Sequence, residues 1–141
     1  MLKEIDQIFN MLDWNNDTLV QQQGIALASE IQHLSVFMQP IEGKSLWENC
    51  AKVIIAKDDA QLSPYLVRLF QWLQDMNWPG AELVYTRLLK IPSSTLLPSY
   101  KLSVKTAVDT NDLVWKTVLA DFWKAYIAEQ NMNVSLFDII D

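Results

Sequence analysis

One cysteine, one histidine and three glycines are all this sequence contains of those residues, and each scarcity removes a class of chemistry. A single thiol, Cys50, closes no internal disulfide framework and supplies no cysteine zinc cluster. His33 alone gives neither a histidine-based triad nor a histidine-rich metal site within one chain. There is no Gly-rich phosphate loop. No apolar run reaches the ~18 residues that read as a membrane span. The start, Met1-Leu2-Lys3-Glu4-Ile5-Asp6, carries acids where a secretory signal has a basic segment, so a cytoplasmic protein is expected. Basic residues are also scarce, 11 Lys and Arg against 17 Asp and Glu, for a net charge of −6. Nucleic-acid affinity rests on cations neutralising phosphates, so neither nucleic acid nor an anionic membrane is an expected partner. A basic protein fits the charge.

Hydrophobic residues are plentiful, half of the 141, which suffices for one α-helical domain over residues 1–141. Their spacing is helical almost throughout. Ile5, Ile8, Phe9 and Leu12 form one stripe, and Asn15-Asn16-Asp17 offers a cap for a second helix. That helix is expected to turn Val20, Gly24, Leu27, Ile31 and Leu34 inward, with Gly24 as a close-packing point. Ser45 is expected to cap a third helix with Leu46, Trp47, Cys50, Ala51 and Ile54 inside. Ser63-Pro64 reads as the start of a fourth, carrying Tyr65, Leu66, Leu69, Leu73 and Met76 inward. Asn77-Trp78-Pro79 then breaks the chain into a fifth helix with Ala81, Val84 and Leu88 on its face. Pro92 and Pro98 punctuate a loop before a sixth helix with Val104, Ala107 and Val108. A seventh has Val114, Val118, Phe122 and Ile127 flanked by Trp115, Leu119, Trp123 and Tyr126, apolar over much of its circumference and so expected to be central, and the tail from Val134 to Asp141 is expected to dock on the body.

Four helix openings, at Asp17, Ser45, Trp78 and Asn111, lie roughly 28–34 residues apart. The fold expected is therefore all-α, a right-handed stack of antiparallel helix pairs of HEAT or armadillo type with about seven helices. An ordinary up-and-down bundle gives similar spacing. Stacked pairs leave a concave binding face.

The stretch Leu69-Phe70-Gln71-Trp72-Leu73-Gln74-Asp75-Met76-Asn77-Trp78-Pro79-Gly80-Ala81 resembles the signature of a bacterial family of small domains of unknown function. Asp112-Leu113-Val114-Trp115-Lys116 is similar to that family's acidic-x-x-Trp-Lys element, and the resemblance covers about residues 40–130. It implies a HEAT-like helical fold and brings no activity, cofactor or catalytic residue.

The candidate site residues are Trp72, Asp75, Asn77, Trp78 and Pro79 at one inter-helix elbow, with Asp112, Trp115 and Lys116. Asp75 or Asn77 is expected to cap backbone groups at the elbow while Trp72 and Trp78 fill the joint. The same residues would serve as interface anchors if exposed. Trp14, Trp47 and Trp123, like the other three tryptophans, fall on or beside apolar stripes, where core packing is the ordinary role. His33 is expected near the end of the second helix, Cys50 as a small buried hydrophobe, and Asp58, Asp59, Asp109 and Asp112 as caps or turn acids. No catalytic, cofactor or metal residue is expected. The leading reading is a non-enzymatic protein-interaction module, monomer or weak homodimer, of immunity or partner-binding type by analogy. The alternative is a small-molecule-binding protein or hydrolase with an aromatic and carboxylate pocket.

Overall fold

The computed structural model describes the backbone of residues 2–140 and the side chains of residues 4–130, and every regular element among them is helical. Helix α1 (Leu2–Leu12) buries Ile8, Phe9 and Leu12, the expected stripe. Asp17 caps α2 (Thr18–Ala28) by accepting the Val20 N–H at 2.9 Å. Helix α2 stops at Ala28, six residues before Leu34, as the chain tightens through Glu30 N–H to Leu27 O and Ile31 N–H to Ala28 O. Its inner face is Gly24 and Ala28, and Leu27 is 51% exposed, which corrects the expected face. The reason is the crossing of α1 and α2: a Cβ on Gly24 would lie 2.8 Å from Met11 Cβ. Only glycine fits there without a shift of α1.

Two 3-10 segments, Leu34–Phe37 and Lys44–Leu46, lead to α3 (Trp47–Ile55). Ser45 does not cap α3. Its hydroxyl bonds Asp13 Oδ2 at 3.2 Å and ties the loop back to the end of α1. Asp58 and Gln61 form a reciprocal capping box over α4 (Asp59–Leu62), which runs through the 3-10 turn Ser63–Tyr65 into α5 (Leu66–Trp72). The cap is therefore Asp58 and not Ser63. Pro64 sits in the tighter turn between α4 and α5. Helix α6 (Ala81–Leu88) buries Ala81, Val84 and Leu88 as expected.

Pro98 does not end in a loop. It lies inside α7 (Ser93–Asp109), where it leaves the carbonyl of exposed Ser94 without its helical donor, in reach of solvent. Helix α8 (Leu113–Ile140) buries Trp115, Leu119, Phe122 and Tyr126, whereas Val114 is 64% exposed and Ile127 also faces outward. An all-round apolar helix states no inner face by itself, and Tyr126 settles into the core by donating its hydroxyl to Ile91 O. The side chains of the tail, Val134 to Asp141, lie outside the described residues.

With α4 and α5 as one element, the described residues form seven α-helical bodies. They neighbour one another in the order α1, α2, α3, α6, α5, α7, α8. One buried cluster runs from Ile8 to Tyr126. No helix among the described residues is long and apolar enough to cross a membrane.

Candidate functional site

The elbow between α5 and α6 is wound from local hydrogen bonds. Helix α5 ends at Trp72, five residues before Asn77, where the sequence placed the break. Leu73 N–H and Gln74 N–H close 3-10 turns on Phe70 O and Gln71 O. Asp75 Oδ1 then accepts the Asn77 N–H at 2.8 Å, an Asx turn. Trp78-Pro79-Gly80-Ala81 is a type II turn, with Ala81 N–H on Trp78 O at 3.1 Å and Gly80 at φ 85°, ψ −11°. Pro79 thus presets a turn and does not start the helix, which begins at Ala81. Asn77 is exposed and caps nothing through its side chain. Replacing Asp75 by Ala should lower stability by about 1 kcal/mol, and Asn77→Ala should leave it within about 0.5 kcal/mol of the parent, both read by urea denaturation.

Helix α3 completes the joint with two residues the sequence did not nominate for it. Trp47 meets Trp72 edge-to-face at 6.1 Å and Trp78 at 5.5 Å. Glu48 Oε2 accepts the Gly80 N–H at 2.7 Å, across 32 residues of chain. Trp72 is wholly buried and donates its indole N–H to Pro79 O at 2.9 Å. The Pro79-Gly80 dipeptide was the signal for the turn; nothing local announces Glu48.

Asp112 caps α8, accepting the Trp115 N–H at 3.1 Å. Buried Trp115 donates its indole N–H to Phe70 O at 3.0 Å, satisfying a carbonyl of the last turn of α5. The second motif therefore braces the elbow from below. Lys116 is exposed, outside this contact set.

What reaches the surface is a cleft of about 360 Å³ whose lining includes Glu48, Asn77, Trp78, Glu82 and Leu83. It holds two carboxylates and no basic side chain. Among the other tryptophans, Trp14 is 48% exposed and Trp123 stacks on Tyr100, so the six do not line one aromatic cleft.

The remaining titratable candidates are structural in placement. His33 lies beyond the end of α2, exposed ahead of the first 3-10 segment, which corrects its expected place at a helix terminus. Asp59 pairs with Arg87 at 2.7 Å and Asp109 with Lys105 at 2.7 Å. Among the described residues no three His, Cys, Asp or Glu side chains converge to hold a metal ion. Burial, helped by the Glu42 charge, pushes the Cys50 thiol from 9.0 up to about 12. A thiol reagent at pH 8 should therefore leave Cys50 unmodified until the chain unfolds. The folded state keeps a proton that the unfolded chain releases, so this contribution to stability is complete below pH 9 and lost as pH rises towards 12. Burial raises Tyr100 and Tyr126 too, and Tyr85 together with the Asp121 charge, in the same sense from about pH 10 upward. Alkaline unfolding followed by circular dichroism should begin in that window.

The elbow, Glu48 and the Asp112–Trp115 brace all fall within residues 44–139, which match the model of a domain of unknown function, DUF5071. The chain belongs to the DUF5071 family. The DUF5071 match includes α3 through nearly all of α8 and begins after α1, α2 and the loop that follows them. No curated protein and no solved structure matches the chain.

Proposed function

We propose that this DUF5071 chain is a non-enzymatic protein-interaction module that docks a basic partner on the elbow cleft. The observation that carries the reading is the lining: Glu48 and Glu82 beside half-buried Trp78 and exposed Asn77, with no cation among them. Trp beside two carboxylates, of which Glu48 also accepts the Gly80 N–H, suits an arginine- or lysine-bearing surface. The packing of α3 on α6 and of α5 on α7, first helix on first and second on second, is the part of the neighbour order that suits a HEAT-like scaffold. A cytoplasmic, immunity-type or partner-neutralising role is the specific form of this proposal, by analogy with other small acidic proteins.

The competing reading, a small-molecule-binding protein or hydrolase, draws on the cleft volume, which is at the low end for ligand sites. The side chains argue against it as an active site, since the one thiol is buried and the one histidine lies elsewhere. Affinity capture with the parent and with Glu82→Lys, at low and high salt, separates the two. A protein retained by the parent at low salt and lost both at high salt and with Glu82→Lys supports the module. Capture indifferent to Glu82→Lys, together with a small molecule that raises the melting temperature of the parent and not of that variant, would sink it.

A further inference from the structure

The outer side of the α1–α2 pair carries an apolar surface that the core leaves unused. Glu4, Gln7, Ile8 and Met11 follow one another on α1 at the i, i+3, i+4, i+7 spacing that places four side chains on one helix face. The short loop 13–17 joins α1 to α2, so the two helices run antiparallel. With Met11 against Gly24, that direction sets Leu27 beside Ile8 and Ile31 beside Glu4. Helix α2 ends at Ala28 and the chain turns through Glu30 and Ile31, so the first turn of α1 runs past the end of its partner.

Beside that stretch lies a groove of about 370 Å³, lined by the α1 stripe together with Leu27, Glu30 and Ile31. Ile8, Met11, Leu27 and Ile31 make it apolar, and Leu27 is 51% exposed there. A contiguous apolar patch bordered by polar groups is a recurrent mark of an interaction site. The polar border here is of one sign: Glu4 and Glu30 both line the groove and both are exposed. Among the described residues no lysine or arginine lines it. Lys57 reaches the neighbouring Ser29, where the Ser29 carbonyl holds its ammonium at 2.6 Å.

We infer that this groove is a second docking surface, taking one amphipathic helix of a partner protein whose apolar stripe is flanked by lysine or arginine. The groove walls are helical, with backbone groups bonded internally, so an extended segment finds no open edge to pair with. A third helix needs only side chains and lays its apolar ridge between the other two. Charge then narrows the occupant. A second copy of this chain on the same patch would bring Glu4 and Glu30 against the same carboxylates, and its segment 131–141 holds Asp138 and Asp141 with no lysine or arginine. An acidic helix or a nucleic acid is repelled likewise, whereas a basic helix meets a carboxylate from each wall. All the lining residues lie between Glu4 and Ile31, outside the 44–139 match, and none is shared with the elbow cleft. The surface therefore stands or falls independently of the elbow.

The test is a titration of the 15N-labelled full chain, followed by two-dimensional NMR, with an acetylated, amidated helix-forming peptide of about 18 residues. The peptide carries leucine along one stripe and lysine and alanine elsewhere. The Gln7 side-chain amide pair and the Leu27 and Ile31 backbone amides should shift progressively. A peptide of the same composition with the stripe scrambled, and one with glutamate in place of lysine, should leave them unmoved. Leu27→Lys should weaken binding about tenfold, through a lost apolar contact and a like charge, while a cation in the last turn of α2 suits the helix dipole and spares the fold. Glu30→Lys, at an exposed position past the helix, should weaken it about fivefold and reads the groove alone where the first change disturbs α2. Parent-like binding by Glu30→Lys, equal shifts with the scrambled peptide, or no shift at Gln7, Leu27 and Ile31 overturns the inference. Concentration-dependent shifts of those amides without peptide name a second copy as the occupant and overturn it too. Shifts confined to Trp78 and Glu82 overturn it and leave the elbow reading standing, whereas silence at both surfaces counts against both.

Discussion

Replacing Gly80 by Ala should destabilise the protein by about 3 kcal/mol, through two effects that act at the same atom. The backbone there sits at φ 85°, a region in which a side chain brings Cβ against the neighbouring carbonyl. The added Cβ would also stand 2.6 Å from Ala51 Cβ and 3.0 Å from Trp47 O, inside the wall that α3 presents to the elbow. Neither neighbour is the free end of a flexible chain, so α3 and the turn must separate. That movement would pull the Gly80 N–H from Glu48, its partner at 2.7 Å. Urea unfolding should show a lower midpoint at an unchanged slope. Ala51→Gly in the same chain removes the nearest clash, and the pair should be less unstable than the sum of the two single changes. A Gly80→Ala protein within about 0.5 kcal/mol of the parent would mean that the turn and α3 are not in contact as described.

Trp72→Ala should be the more damaging change, at about 3–5 kcal/mol, because a wholly buried indole leaves a cavity that its neighbours cannot fill. Trp47 loses one of its two edge-to-face partners, and Pro79 O in the type II turn loses its indole donor. Trp72→Phe divides the two contributions. It keeps much of the packing and abandons the hydrogen bond, so it should cost roughly 1–3 kcal/mol. Thermal unfolding reads both: for a chain of this size about 3 °C accompanies each kcal/mol, so the alanine variant should melt about 10 °C or more below the parent. Equal melting of the two variants, both below the parent, would show that the indole N–H and not the bulk of the ring holds the elbow.

These two expectations differ in how far the sequence announces them. Pro79-Gly80 is a turn signal with a stated mechanism, since Pro presets φ and Gly accepts the positive value that follows. The caps at Asp17 and Asp112 are equally local, each reaching three residues along the chain to a backbone N–H. Their helices could be foreseen for that reason. The role of Asp75 is also local, but the choice between Asp75 and Asn77 turns on which side chain points back to the backbone, and spacing alone does not decide it. Trp47 and Glu48 were invisible as elbow residues because 31 and 32 positions separate them from Trp78 and Gly80. The positive φ of Gln39, 49°, was equally so. Arg68 and Trp47 bond the carbonyls of Met38 and Pro40 on either side of it, and neither lies in its own turn.

Helical periodicity, half-hydrophobic composition and short-range caps determine, without any tertiary information, that this chain is all-helical and where several of its helices begin. They do so because helix hydrogen bonds and caps span three or four residues, a distance that sequence order specifies. Which face α2 and α8 bury was left to the fold. Val114 and Ile127 are as apolar as Leu119, yet they face outward because Trp115 and Tyr126 find buried carbonyl acceptors at Phe70 and Ile91. Leu27 is displaced by Gly24 in the same way, since the crossing of α1 and α2 leaves no room for a larger residue. Hydrophobic burial is non-directional, so where several faces are apolar the partner helix makes the choice. The Trp72-to-Pro79 segment is a joint by its sequence; its acidic cleft exists only because α3 brings Glu48 to meet it.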